Sequence, residues 1–259
     1  MPKGGLARRA TAIARFREQA GNEVLLLDSG NSLIAPKPTQ TSDPSQGALP
    51  VAAMNRMGYD AMALGPKDLG PDLETVRQRF QEAAFPILAA NVFPEGALPN
   101  LKPYLLRTVD SHTVAVVGLT DPKTAQRAQA LGLPLAVEDP EEALRHTLAA
   151  LPREVQVVIV LSNLDQASTE HLAQAVPGID LIIGMNGGRQ VDPKAIAGPE
   201  GQVVIHASYV QGEYLGVLTV QFDAQGRVVT FSGRSQPLDP QYVDDPEIAE
   251  LMARYGVRP

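Results

Sequence analysis

The stretch "VQVVIVLSN", Val155–Asn163, is apolar at almost every position before it closes on Ser162 and Asn163. A strand with one face in water alternates apolar and polar residues. A short run that is apolar at both parities predicts a strand buried on both faces, as in a parallel sheet covered by helices. The same texture recurs in "YLLRTVD" (104–110), "HTVAVVGLT" (112–120) and "DLIIGMNGG" (180–188), while "EVLLLDSGN" (23–31) reads as a strand running into a Gly-containing corner.

Between these runs lie segments with helical spacing. "LARRATAIARFREQA" (6–20) places Leu6, Ala10, Ile13 and Phe16 near one face, which leaves Arg8 and Arg9 on a solvated face. Further helices are expected at about 48–58, from Pro71 through "PDLETVRQRFQEA" with proline in the first turn, at 140–151, at 166–175 and at 246–255. "DAMAL" (60–64) and "FPILAANV" (85–92) read as strands, and 36–47 as a polar, proline-rich loop. The last third, "QVVIHASYV", "GEYLGVLTVQFD" and "RVVTFSGRSQPL", reads as an antiparallel meander with "DAQG" as a hairpin turn. The expected architecture is α/β, two sheets facing one another with helices outside. With no repeat or linker to divide the chain, residues 1–259 read as one domain.

Polar loops follow four strands, at Asp28–Asn31, Gly65–Asp68, Ser162–Asp165 and Gly184–Arg189. Loops at the carboxyl ends of strands are where such folds hold ligands. The composition removes several chemistries. A net charge of -7 gives no basic footprint for nucleic acid or anionic membrane. The absence of cysteine excludes disulfides, thiolate metal sites and cysteine nucleophiles. The histidines, His112, His146, His171 and His206, form no close pair of the kind that supplies two metal ligands. His112 is read in a turn, His146 and His171 on helices, and His206 as a hydrogen-bonded strand residue. No run is long enough to span a bilayer, and the basic start lacks the apolar core of a signal peptide. The sequence as given thus reads as cytoplasmic, or as exported if the true start lies upstream.

The order of "GGLARRATAIARF", "EVLLLDSGN", "NRMGYDAMALGPKDLG", "FPILAANV", "VVIVLSNL", "PGIDLIIGMNGG" and "YLGVLTVQFD" resembles the calcineurin-like metallophosphoesterases, specifically the catalytic domain of the 5'-nucleotidase branch. The resemblance covers nearly the whole chain and implies a two-sheet sandwich, with a site of two divalent metal ions that activates water against a phosphate ester. The family's metal motifs are DxH, GD, GNH(E/D), a strand-end His and GHxH. The GD aspartate position holds Asn31, with Asp28 kept before it. The Asn and His of GNH(E/D) are Pro66 and Lys67, with Gly65 and Asp68 kept. The strand-end His is Asn163, and the two His of GHxH are Asn186 and Gly188. The DxH motif is expected on a strand just before "GGLAR", where only Met1, Pro2 and Lys3 stand in the sequence as given. "DDPEIAELMARYG" resembles the helix that ends the catalytic domain, so the family's nucleoside-binding domain has no counterpart either.

Amides and a lysine are poor substitutes for the carboxylates and imidazoles that offset two divalent charges. The expectation is a degenerate phosphoesterase domain, without catalytic residues or metal ligands, that acts as a binding or assembly module. The alternative is a divergent phosphoric-ester hydrolase with an atypical site. Lys67, Asn163, Asn186 and Arg189 are the candidate lining of an anion pocket. Against that stands Lys67 in solvent or paired with Asp28 or Asp68, with the asparagines satisfying loop backbone groups. A missing first strand predicts an exposed sheet edge for a protein partner or a second copy.

Overall fold

The computed structural model describes residues 4–20, 24–34, 45–94, 97–185, 191–207 and 212–257. In chain order its helices are α1 (Leu6–Ala20), α2 (Ala48–Met57), α3 (Leu73–Glu82), α4 (Lys123–Ala130), α5 (Pro140–Ala150), α6 (Gln166–Ala175) and α7 (Pro246–Arg254). The first strands are β1 (Leu27–Asp28), β2 (Ala61–Ala63), β3 (Ile87–Leu88), β4 (Val92–Phe93) and β5 (Leu101–Lys102). They are followed by β6 (Tyr104–Val109), β7 (His112–Leu119), β8 (Ala136–Val137), β9 (Val157–Ser162) and β10 (Leu181–Ile183). The chain finishes its sheets with β11 (Val191–Gly198), β12 (Gly201–Ala207), β13 (Tyr214–Phe222) and β14 (Val228–Pro237).

Two sheets face each other. One is parallel, in the order β1-β2-β3-β5; the other runs β11-β12-β10-β9-β7-β6, with parallel pairing from β12 through β7 and antiparallel strands at both edges. The β13-β14 hairpin forms a third ladder, and β4 pairs β8 antiparallel. The double-sided apolar runs have a direct cause. Along β9, Val157, Ile159 and Leu161 enter the core between the sheets with Ala61, Ala63 and Leu88, whereas Val158 and Val160 enter the core under the helical layer with Leu144 and Leu172. Each parity serves a different core. On the other side, α1, α2, α3 and α7 cover the parallel sheet through residues such as Ile13, Met54, Phe80 and Met252.

Local chemistry sets the helix starts. Asp139, Asp165 and Asp245 are N-caps whose carboxylates accept backbone N–H groups of the first turn, and prolines follow two of them at N1. The start expected at Pro71 is displaced: Asp72 is the cap, accepting from Thr75 N at 2.8 Å, so proline lies before the helix rather than in its first turn. Three other expectations are corrected. "YLLRTVD" is not buried on both faces; as β6 it is a half-exposed antiparallel edge. "QVVIHASYV" contributes β12, which pairs parallel with β10 in the main sheet instead of joining a meander. His112 opens β7 rather than occupying a turn, with Nε2 2.8 Å from the Asp223 carbonyl. The segments forming α4 and β11 carry no clear periodic signal; Pro193 interrupts the period of β11, and a register shift falls between Val191 and Lys194.

Candidate functional site: an amide-latched corner at the strand ends

The carboxyl ends of β1, β2 and β9 bring together Asp28, Asn31, Pro66, Lys67, Asp68 and Asn163. Asn186, Gly188 and Arg189, expected at the same corner, lie outside the described residues. After β1 the chain turns sharply through Gly30 and Asn31, both at positive φ (93° and 65°). Asp28 fixes that turn, its Oδ1 accepting from Gly30 N and Ser32 Oγ, each at 2.8 Å. Burial pushes the Asp28 carboxyl up, against those donors and the Arg9 guanidinium.

Asp68 anchors the corner from below. It is fully buried, and its two oxygens accept three backbone N–H groups: Asn31 at 2.7 Å, Leu33 at 2.8 Å and Gly65 at 2.9 Å. The side chain of Asn31 completes a latch. Its Oδ1 accepts Lys67 N at 2.9 Å and its Nδ2 donates to Asn163 Oδ1 at 3.2 Å, while Asn163 Nδ2 donates to Ser29 O at 2.6 Å. Asn163, only 3% exposed, is held by its own N–H on Leu119 O. The Lys67 side chain is exposed, and among the described residues no carboxylate lies within 4.0 Å of it, so it pairs with neither Asp28 nor Asp68. The fourth loop starts in the same place: a side chain at Gly184 would overlap Ser29 and Ser162.

Several contributors had no local signal. Arg9 does not lie on a solvated face; it turns inward, Nη1 3.3 Å from the Tyr59 hydroxyl, and lines the cavity beside the corner. Arg127, on the unforeseen α4, holds the end of "ALGPKDLG" by donating to the carbonyls of Leu69 and Gly70. His206 is buried and lines the same cavity. Its Nδ1 sits 3.0 Å from Val191 O and must donate there, so Nε2 is left as an acceptor with no hydrogen-bond partner among the described residues; burial lowers its pKa.

Burial drives the Asp68 pKa up to about 6, opposed by its three amide donors. Because this folded value lies above the unfolded one, the fold takes up a proton as pH falls through about 6 and gains stability from this group down to the unfolded pKa. The carboxyl carbon of Asp68 should titrate by NMR with a midpoint near 6; a midpoint below about 4 would mean the amides outweigh burial.

A dinuclear metal centre does not fit these residues. Among the described residues no three His, Asp or Glu side chains converge. Both Asp68 oxygens are committed to backbone amides, and the asparagine at the bridging position spends its one carbonyl oxygen on Lys67 N.

No family profile matches the chain. Its sequence is 31% identical to bovine 5'-nucleotidase over 277 residues, which cover 98% of this chain and 47% of that protein. The crystal structure of a 5'-nucleotidase precursor from Thermus thermophilus superposes with a TM-score of 0.83 at 27% identity, covering 98% of this chain and 53% of that one. The calcineurin-like phosphoesterase YfkN from Bacillus subtilis shares the fold, with a TM-score of 0.73 at 20% identity over 99% of this chain and 89% of that one. The chain spans about half the length of the curated 5'-nucleotidases it matches. With its sandwich, its strand-end corner and this likeness along its whole length, the chain is similar to 5'-nucleotidases over about half of their length and shares its fold with the calcineurin-like phosphoesterase YfkN.

Proposed function

We propose that this 5'-nucleotidase-like domain has given up dinuclear-metal hydrolysis and works as a binding module, a pseudoenzyme whose polar corner accepts a small oxyanion directly. One observation carries the reading: Asn31 and Asn163, where the resemblance would put metal ligands, are locked to one another and to the Lys67 amide. What remains is a cation at the rim, Lys67, beside buried amides. That combination suits an anion such as phosphate, held by charge and N–H donors. Asn186 and Arg189, the other two pocket candidates read from the sequence, lie outside the described residues. The whole chain is read as one such domain.

Calorimetric titration with Mn or Zn, beside turnover of a generic phosphate monoester, tests the loss of catalysis. We expect neither stoichiometric binding of two ions nor hydrolysis; both together would restore the alternative, a divergent hydrolase with an atypical site. Phosphate at about ten times its Kd should raise the unfolding free energy of the wild type by about 1.4 kcal/mol. Lys67→Ala should abolish that gain, and an equal gain in both proteins would remove Lys67 from the pocket.

A further inference from the structure

Arg127 grips the corner from a neighbouring element. It is half-buried on α4, and its guanidinium donates through Nε to Leu69 O at 2.7 Å and through Nη2 to Gly70 O. The two nitrogens form one edge of the planar group, so a single side chain holds two successive carbonyls of the segment that follows Lys67. Among the described residues no carboxylate lies within 4.0 Å of it, and its full charge strengthens the bonds to those carbonyls.

The helix that carries Arg127 is itself pinned. Thr124, fully buried one turn earlier, meets Thr120 Oγ1 through its own Oγ1 at 2.7 Å. Thr120 exchanges two bonds with buried Asn91: its N–H donates to Asn91 Oδ1, and Asn91 Nδ2 donates to its carbonyl, each at 3.0 Å. Ala128 packs in the same core as Leu69. A donor fork mounted on so fixed a base can set the place of what it holds.

What it holds carries Lys67. The turn Pro66–Asp68 is tied on one side through Asp68 and Asn31, which accept the amides of Gly65 and Lys67. Arg127 ties the other side at Leu69 and Gly70, where the chain runs so tightly that a Cβ on Gly70 would overlap Ile34. The Lys67 side chain is exposed and has no carboxylate within 4.0 Å among the described residues, so no ion pair there fixes its ammonium. The backbone of the turn decides which volume that ammonium can reach.

We infer that Arg127 is a positioning residue of the anion pocket: it does not touch the anion, and by clamping the carbonyls of Leu69 and Gly70 it holds the turn that presents Lys67. The inference rests on the anion reading of the corner. Arg127→Met removes both donors and lets the segment after Asp68 shift. The ammonium then spreads over positions where it no longer meets the anion.

The probe is inorganic phosphate, titrated by calorimetry into the full chain at a temperature where circular dichroism shows every variant folded. Arg127→Met should raise the phosphate Kd by about tenfold, the lower end of what loss of an orienting partner costs a bound ion. Arg127→Lys keeps the charge but not the fork, and should recover only part of that loss. Leu148→Ala is the control for lost stability; it lies near the end of α5 that leads toward the amino end of β9, away from the strand carboxyl ends. It should leave the phosphate Kd within about twofold of wild type. Amide hydrogen exchange at Lys67, resolved by NMR, should quicken more in Arg127→Met than in Leu148→Ala. An unchanged Kd in Arg127→Met, full recovery in Arg127→Lys, or an equal loss in Leu148→Ala would each overturn the inference. Absence of phosphate binding by the wild type would overturn the anion pocket and this inference together, whereas wild-type binding that is indifferent to Arg127 would overturn only the latter.

Discussion

Asp68→Ala is expected to lower the unfolding free energy by about 3–5 kcal/mol at pH 7, measured by urea denaturation. The carboxylate touches no solvent, and the three N–H groups it accepts come from two segments far apart in sequence, Asn31 and Leu33 on one side and Gly65 on the other. Each buried donor left without a partner costs about 1–3 kcal/mol. Water can reach the donor at Asn31, which is only partly buried, and this sets the sum below three full penalties. Asp68→Asn keeps one acceptor oxygen but directs an NH₂ group at backbone donors, so it should recover only part of the loss. A loss under about 1 kcal/mol for the alanine variant would mean that the corner is held by the asparagine latch and not by Asp68.

Gly118→Val should destabilise the protein by at least about 3 kcal/mol, at or beyond the upper end of ordinary overpacking. Gly118 lies in β7, packed directly against Leu88 of the facing sheet. A Cβ built there would overlap the carbonyl group of Leu88 on β3, and those atoms belong to backbone that cannot rotate away. The approach is itself hydrogen-bonded, Ala90 N donating to Gly118 O at 2.7 Å. Prising the sheets apart would break that bond and open the core shared by Leu88, Val116 and Leu161. Unfolding midpoints and the exchange rate of the Ala90 amide measure the effect. A valine variant within about 0.5 kcal/mol of wild type would show that the strands slide past each other more freely than their packing implies.

Much of the framework was legible because its causes are local. The runs around Val157 and Val114 are apolar at both parities since each parity feeds a separate core. The helices α1, α5, α6 and α7 follow from periodicity and, in three of them, from aspartate caps. Two misses were local: α3 starts at Leu73 because Asp72 caps it through the Thr75 amide, and α4 shows only two buried side chains, Thr124 and Ala128, too few to impose a pattern. β12 carries a strand sequence that suits either a meander or the main sheet, and the free side of β10 chose the latter.

The site divides in the same way. That Asn31, Lys67 and Asn163 stand at strand ends follows from the sequence, through apolar runs that stop at polar corners. That Arg9 turns inward to Tyr59 does not, because helical periodicity places a residue on a face without saying what lies opposite it.

The amino-acid sequence by itself determined the alternation of strand and helix and the polar strand ends at Asn31, Lys67 and Asn163, which are properties of short stretches, and its lack of cysteine removes thiol chemistry. Only the tertiary structure decided that the asparagines spend their amides on one another and on Lys67 N, that Asp68 serves as a buried acceptor for three amides, and that Arg9 meets Tyr59. Hydrogen-bond partners and strand edges are relations between segments brought together across the fold, and no local pattern encodes which of them meet.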